Sequence, residues 1–84
     1  MKITIESTSR IVELVGNDIA APARIWQGET ENGIPVQVFV TRIAPEIDRN
    51  HPDIDALLVD FERELKRQAD PRPSVQAIPL RMII

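Results

Sequence analysis

Residues 23–43 read ARIWQGETENGIPVQVFVTRI, and the way this stretch folds decides the architecture of the chain. Asn32-Gly33 sits between two β-prone runs. That dipeptide is the strongest short-range hairpin signal, because a two-residue type I′ turn needs positive φ at both central positions. With Asn32 and Gly33 as the turn, Glu31 faces Ile34 and the register runs outward: Gln27 opposite Val38, Trp26 opposite Phe39, Ile25 opposite Val40, Arg24 opposite Thr41. The only Trp then meets one of two Phe, a cross-strand pair worth a few tenths to about 1 kcal/mol. One face carries Ile25, Val36, Val38 and Val40, and the other Arg24, Trp26, Gln37, Phe39 and Thr41. The first of these faces is expected under the helix.

Outward from the hairpin, the N-terminal side offers a second one. Residues 2–6, KITIE, alternate polar and apolar. Ser7-Thr8-Ser9 reads as a small turn, and residues 10–15, RIVELV, follow as a strand. Gly16-Asn17-Asp18 breaks the pattern with turn residues, and residues 19–22, IAAP, read as a connection because Pro22 disfavours a central strand. On the C-terminal side, residues 44–52, APEIDRNHP, form a polar loop. A helix over about 53–69 follows, with Asp53 as N-cap or Asn50 with Pro52 in the first turn. Its apolar stripe is Ile54, Leu57, Leu58, Phe61 and Leu65. Glu62 and Lys66 form a favourable i,i+4 pair. Asp70-Pro71-Arg72-Pro73 stops the helix. The tail SVQAIPLRMII is too apolar to lie free in water, so residues 78–84 are expected to add an edge strand or to dock on another copy through Leu80, Met82 and Ile84, Pro79 suiting an edge.

Composition narrows the function classes. The chain has 84 residues, is 43 % apolar and carries a net charge of −3. This is the size of one domain, 1–84, with a small core. The negative charge argues against non-specific duplex DNA or anionic membranes as main partners. Eight Arg against two Lys still allow a local anion site, since Arg recognises planar anions in a bidentate manner. There is no Cys, hence no disulfide or thiolate chemistry. The N-terminus lacks the continuous apolar core of a signal peptide, and no apolar run approaches the length needed to span a bilayer. A soluble, cytoplasmic protein is expected.

The sequence holds no catalytic or cofactor motif, so no enzyme, cofactor or metal is expected. Gly16, Gly28 and Gly33 are too sparse for a phosphate-cradling loop. His51 is the single histidine; with Asp48, Asp53 and Asp55 it could touch a metal, but a solvated histidine before a helix start is the plainer reading. Ser7, Thr8 and Ser9 read as turn residues, and Glu29 and Glu31 as charges that solubilise a hairpin tip. The acids Glu46, Asp48, Asp53 and Asp55 read as ordinary helix-start residues ahead of phosphate mimics. The binding candidate is the face with Arg24, Trp26, Gln37, Phe39 and Thr41, together with Arg42. Arginines beside an exposed aromatic can stack a base and hold a phosphate. The same residue types are enriched at protein interfaces, and packing of Trp26 and Phe39 under the helix is the third reading.

In the hairpin ARIWQGETENGIPVQVFVTRI and the closing PLRMII, the chain resembles short proteins of unassigned function encoded by tailed bacteriophages and prophages. The resemblance spans residues 23–43 and 79–84. It implies an accessory phage protein that acts by binding, as do small phage proteins that inhibit CRISPR effectors or sequester the nucleotide signals of host immunity. The expected fold is α+β: an antiparallel sheet of four to five strands in two hairpins (about 2–6, 10–15, 23–29 and 35–43, with 78–84 as edge or exchanged strand) and one helix on one face. A homo-oligomer is expected, most simply a dimer. The expected function is a non-enzymatic phage accessory protein that counters host defence by binding a host protein or a small nucleotide. The alternative is an assembly protein whose sheet and tail mediate oligomerisation.

Overall fold

The structure is a computed structural model and describes residues 1–16 and 19–76. It is α+β. Among the described residues, strands β1 (Ile3–Gly16), β2 (Ile19–Thr30) and β3 (Pro35–Val40) form an antiparallel sheet in the order β1-β2-β3, followed by one helix, α1 (Ile54–Leu65). Among the described residues no helix is long and apolar enough to cross a membrane.

Among the described residues the sheet has three strands where the sequence suggested four to five in two hairpins, and the first hairpin is missing because Ser7-Thr8-Ser9 is not a turn. Residues 3–6 and 10–15 belong to one long strand, interrupted by a bulge: Ser7 pairs with Trp26 and Ile11 with Arg24, so residues 8–10 stand opposite Ile25 alone. Thr8 makes the bulge stable. Its hydroxyl donates to the Ile25 carbonyl (2.6 Å) and accepts the Arg10 N–H (3.3 Å), filling the ladder positions that extra residues otherwise leave empty. Residues 19–22, expected as a connection, continue β2. Pro22 pairs with Glu13 on β1, while β3 ends opposite Arg24. Among the described residues β2 has a neighbour on one side only at that level, the edge setting in which proline is tolerated. The expected strand over 78–84 lies outside the described residues.

The central hairpin forms, but in a register shifted by one residue. Arg24 pairs with Val40, Ile25 with Phe39, Trp26 with Val38 and Gln27 with Gln37. The connection is the three residues Glu31-Asn32-Gly33. Thr30 donates its N–H to the Ile34 carbonyl (3.0 Å) and accepts the Gly33 N–H on its own carbonyl (3.0 Å). Its hydroxyl takes the Ile34 N–H (3.2 Å). Gly33 has φ +80, the left-handed residue that such a three-residue loop requires. Side chains alternate along a strand, so a one-residue slip turns all of β3 over relative to β2. The expected faces are therefore redistributed. Ile25, Gln27, Gln37 and Phe39 share one face; Trp26, Val36, Val38 and Val40 share the other.

The first of these, the glutamine face, holds the core. Thr8, Leu14, Ala23, Ile25 and Gln27 are buried there, and Val75 is buried above them. No residue of α1 is buried, and Leu57, Leu58, Val59 and Leu65 are exposed. Asp53 is the N-cap residue, without a side-chain cap bond; the Asp53 N–H instead donates to His51 Nδ1 (3.0 Å). The helix ends at Leu65, short of the expected 69, because the next residues are claimed by the edge of β1. Ser7 Oγ donates to the Arg67 carbonyl (2.9 Å). Ala69 N–H donates to the Ser7 carbonyl (2.8 Å), and Ser9 N–H to the Ala69 carbonyl (3.1 Å). An ion pair joins Asp60 and Arg63 (3.2 Å), not Glu62 and Lys66.

Gly28 is where β2 and β1 press closest. A Cβ there would meet the Thr4 carbonyl oxygen and lie 2.7 Å from Ile5 Cα, both backbone and unable to yield. Gly33 has open space around it and only its left-handed φ to defend. Gly33→Ala is therefore expected to cost about 1–2 kcal/mol. Gly28→Ala must push two strands apart and should cost more, about 3 kcal/mol, read as the larger fall in urea midpoint. Equal midpoints for the two variants would contradict the close approach.

Candidate interaction surface

Two constructions occupy the two faces of the sheet. On the glutamine face, residues 67–76 cross from the β1 edge toward β3 as a strap held by side chains. Gln27 is 5 % exposed. Its Nε2 donates to Glu6 Oε1 and to the Asp70 carbonyl (both 3.2 Å), and its Oε1 accepts the Arg72 N–H (2.8 Å). Its cross-strand partner Gln37 repeats the arrangement further along: Nε2 donates to the Gln76 carbonyl (2.6 Å) and Oε1 accepts the Gln76 N–H (3.0 Å). A carboxamide carries an acceptor and donors side by side, so each Gln presents to the strap what a neighbouring strand would present. Arg72 Nη2 reaches the carbonyls of Gly28 (3.3 Å) and Val36 (3.1 Å); its Nε is buried and has no partner among the described residues. Arg10 Nη1 donates to the Val75 carbonyl (2.9 Å).

The tryptophan face is different in kind. It carries Ile3, Ile5, Ser7, Trp26, Val36, Val38 and Val40, and none of these is buried. At one end, α1 approaches it. Two adjoining hollows of about 150 and 160 Å³ share Ser7, Trp26, Ile43 and Leu65. The first adds Arg24, Val40, Thr41 and Arg42; the second adds Phe61 and Glu64 from the helix. The helix thus lies beside Trp26, not over Ile25, and the expectation that the Ile25 side would face the helix fails with the register that supported it.

Of the six residues singled out from sequence, Arg24, Trp26, Thr41 and Arg42 meet in this groove. Arg24 is partly committed, since its Nη1 donates to the Thr8 carbonyl (2.9 Å), whereas Arg42 is exposed. Gln37 and Phe39 are on the opposite face, Gln37 as a strap clamp and Phe39 against Ile25 in register. Leu80, Met82 and Ile84 lie outside the described residues. Each hollow is about half the volume at which small-molecule sites begin, roughly 300 Å³. The groove has room for one ring stacked on Trp26 beside two guanidinium groups, not for an enclosed ligand. A larger cleft of about 360 Å³ lies on the glutamine face, lined by Thr4, Glu6, Gln27, Glu29 and Arg72 among others.

Gln27 and Arg72 escaped the sequence reading. Asp70-Pro71-Arg72-Pro73 was legible only as a helix stop. The available signal was a pair of glutamines, each flanked by strand residues, that become cross-strand neighbours only in the shifted register.

The clamp makes a specific prediction. Gln27→Leu keeps the volume and removes the amide, leaving the Arg72 N–H and Asp70 carbonyl unpaired. Each such loss costs about 1–3 kcal/mol when buried, so the variant should be about 2–5 kcal/mol less stable in urea unfolding, and unchanged stability would remove the clamp from the account. Compared with known proteins, the chain matches no family model, no curated protein and no solved structure.

Proposed function

We propose that this chain is a non-enzymatic binding protein that works through its tryptophan face. A single observation carries the reading: the more apolar side of the sheet, with Ile5, Trp26, Val36, Val38 and Val40, has no buried residue, while the core sits on the other side. All five are half-buried, and contiguous apolar surface left partly open to solvent marks interaction sites. The aromatic and arginine residues at its end, Trp26, Arg24 and Arg42, are the types that anchor interfaces. The partner in this reading is a host protein, and the setting is the cytoplasm of a bacterial host, where an accessory protein of the phage kind would blunt a defence system. A small nucleotide stacked on Trp26 is the narrower form of the same reading.

The second reading is an assembly protein whose sheet and tail build oligomers. It is favoured by β3, at the sheet's edge among the described residues, whose sequence PVQVFV contains no charge; in this reading the apolar 78–84 segment is the added or exchanged strand.

The binding reading is tested by expressing the chain in bacteria that carry defined anti-phage systems and counting plaques of a sensitive phage. Plating is expected to recover against at least one system. Val38→Asp, which charges the tryptophan face and leaves the buried side untouched, should abolish the recovery. No recovery against any system, or recovery that survives Val38→Asp, would sink the reading. For the nucleotide form, Trp26 is the only tryptophan, and a saturable fluorescence change with adenine or guanine nucleotides, lost in Arg42→Ala, is the expected signature.

A further inference from the structure

Helix α1 carries an apolar face that the fold does not bury. Ile54, Leu58, Phe61 and Leu65 recur at intervals of four, three and four residues. This is the spacing of the a and d positions by which one helix packs along another. Leu57 widens the stripe to about 100° of the helix surface. None of the five is buried, and Leu57, Leu58 and Leu65 are exposed, Leu58 at 41 %. Only the C-terminal end of the stripe turns toward the sheet, where Phe61 and Leu65 wall a hollow of about 160 Å³ beside Trp26. That hollow leaves even this end loosely packed.

The charges around the stripe select what can cover it. At about 100° of turn per residue, Asp55 and Glu62 flank it on one side, and Asp60 and Glu64 on the other. Arg63 lies on the far side of the helix and is paired with Asp60 (3.2 Å). Four carboxylates against one guanidinium give α1 a net −3, which is the whole net charge of the chain. In helix pairing, the residues beside the a/d seam choose the partner, and like charges set against each other reject one. Two copies of α1 would therefore bring acid against acid. A helix with the same apolar spacing and lysine or arginine beside it would meet opposite charges on both sides.

We propose that α1 is a docking element for a basic amphipathic helix of another protein. The apolar stripe of that helix packs on Leu57, Leu58 and Phe61, and its lysines or arginines face Asp55, Glu62 and Glu64. This is the helix-on-apolar-surface mode of recognition, with the flanking charges supplying specificity. It goes beyond the tryptophan-face reading and does not depend on it.

The test uses the full chain and a synthetic peptide of leucine-lysine heptads, with leucine at a and d and lysine at e and g. Followed by NMR, the peptide should give saturable shifts at the amides of residues 54–65. Raising the salt should weaken binding, because the flanking pairs are exposed to solvent. A peptide of the same composition in scrambled order should bind at least about tenfold more weakly. Leu58→Asp, at an exposed position, should abolish the shifts with the circular dichroism of the sheet unchanged. The triple variant Asp55→Lys/Glu62→Lys/Glu64→Lys, also at exposed positions, should invert the preference and take a leucine-glutamate heptad peptide in place of the leucine-lysine one. No saturable shift, shifts confined to the sheet, equal binding of ordered and scrambled peptides, or an uninverted preference would overturn the inference. None of these outcomes bears on the plaque assay with Val38→Asp, by which the tryptophan-face reading stands or falls.

Discussion

Gln27 is buried in β2, and its amide holds Glu6 of β1 together with the backbone of residues 70 and 72. A buried carboxamide left unbonded would be costly; satisfied on both its nitrogen and its oxygen, it specifies one position for the strap. Gln37, its neighbour across the ladder, fixes the strap a second time at Gln76. The apolar core depends on this. Val75 lies between the two clamped points, and it is Val75, not the helix, whose side chain is buried with Ile25 and Ala23. A segment without regular secondary structure thus does the covering that a helix does in most small α+β domains, and side-chain amides supply the hydrogen bonds that a strand would have supplied.

Once the strap has taken the glutamine face, the remaining apolar surface has no cover within the described residues except α1 at one end. Helix and tryptophan face therefore share a property: both have an apolar surface, neither has a buried residue. Where they meet, Trp26, Phe61 and Leu65 wall a groove with Arg24 and Arg42 at its mouth. An 84-residue chain has little apolar surface to spare, and leaving this much of it only half-buried is the physical basis for reading the molecule as a binder or a building block.

The sequence made the parts legible and hid their assembly. Helix and strand periods were visible, and so were Asp53 as the helix start and the hairpin about Asn32-Gly33, because these are set by nearest neighbours. The register was not, because it turned on the Thr30 hydroxyl capping Ile34 and drawing Glu31 into the loop. That one-residue slip moved Phe39 and Gln37 away from Trp26, and so divided the expected site. Ser7-Thr8-Ser9 has the composition of a turn, and only the Thr8 hydroxyl bonded to Ile25, with Ala69 at the edge, makes it a bulge. The strap was invisible because its stability comes from contacts 39 to 65 residues apart in sequence, which leave no local pattern. What survived of the site, Arg24, Trp26, Thr41 and Arg42, survived because those residues lie at the end of the hairpin where the helix returns.

Amide hydrogen exchange on the full chain tests most directly whether the core lies under the strap. Residues whose hydrogen bonds depend on the clamp, above all the Arg72 N–H held by Gln27, should be protected together with the β2 amides near Ile25 and exchange only when the whole domain opens. The amides of α1, with no buried side chain to anchor them, should exchange orders of magnitude faster. Helix amides as slow as those of β2, with Arg72 exchanging freely, would place the core under the helix and contradict the account.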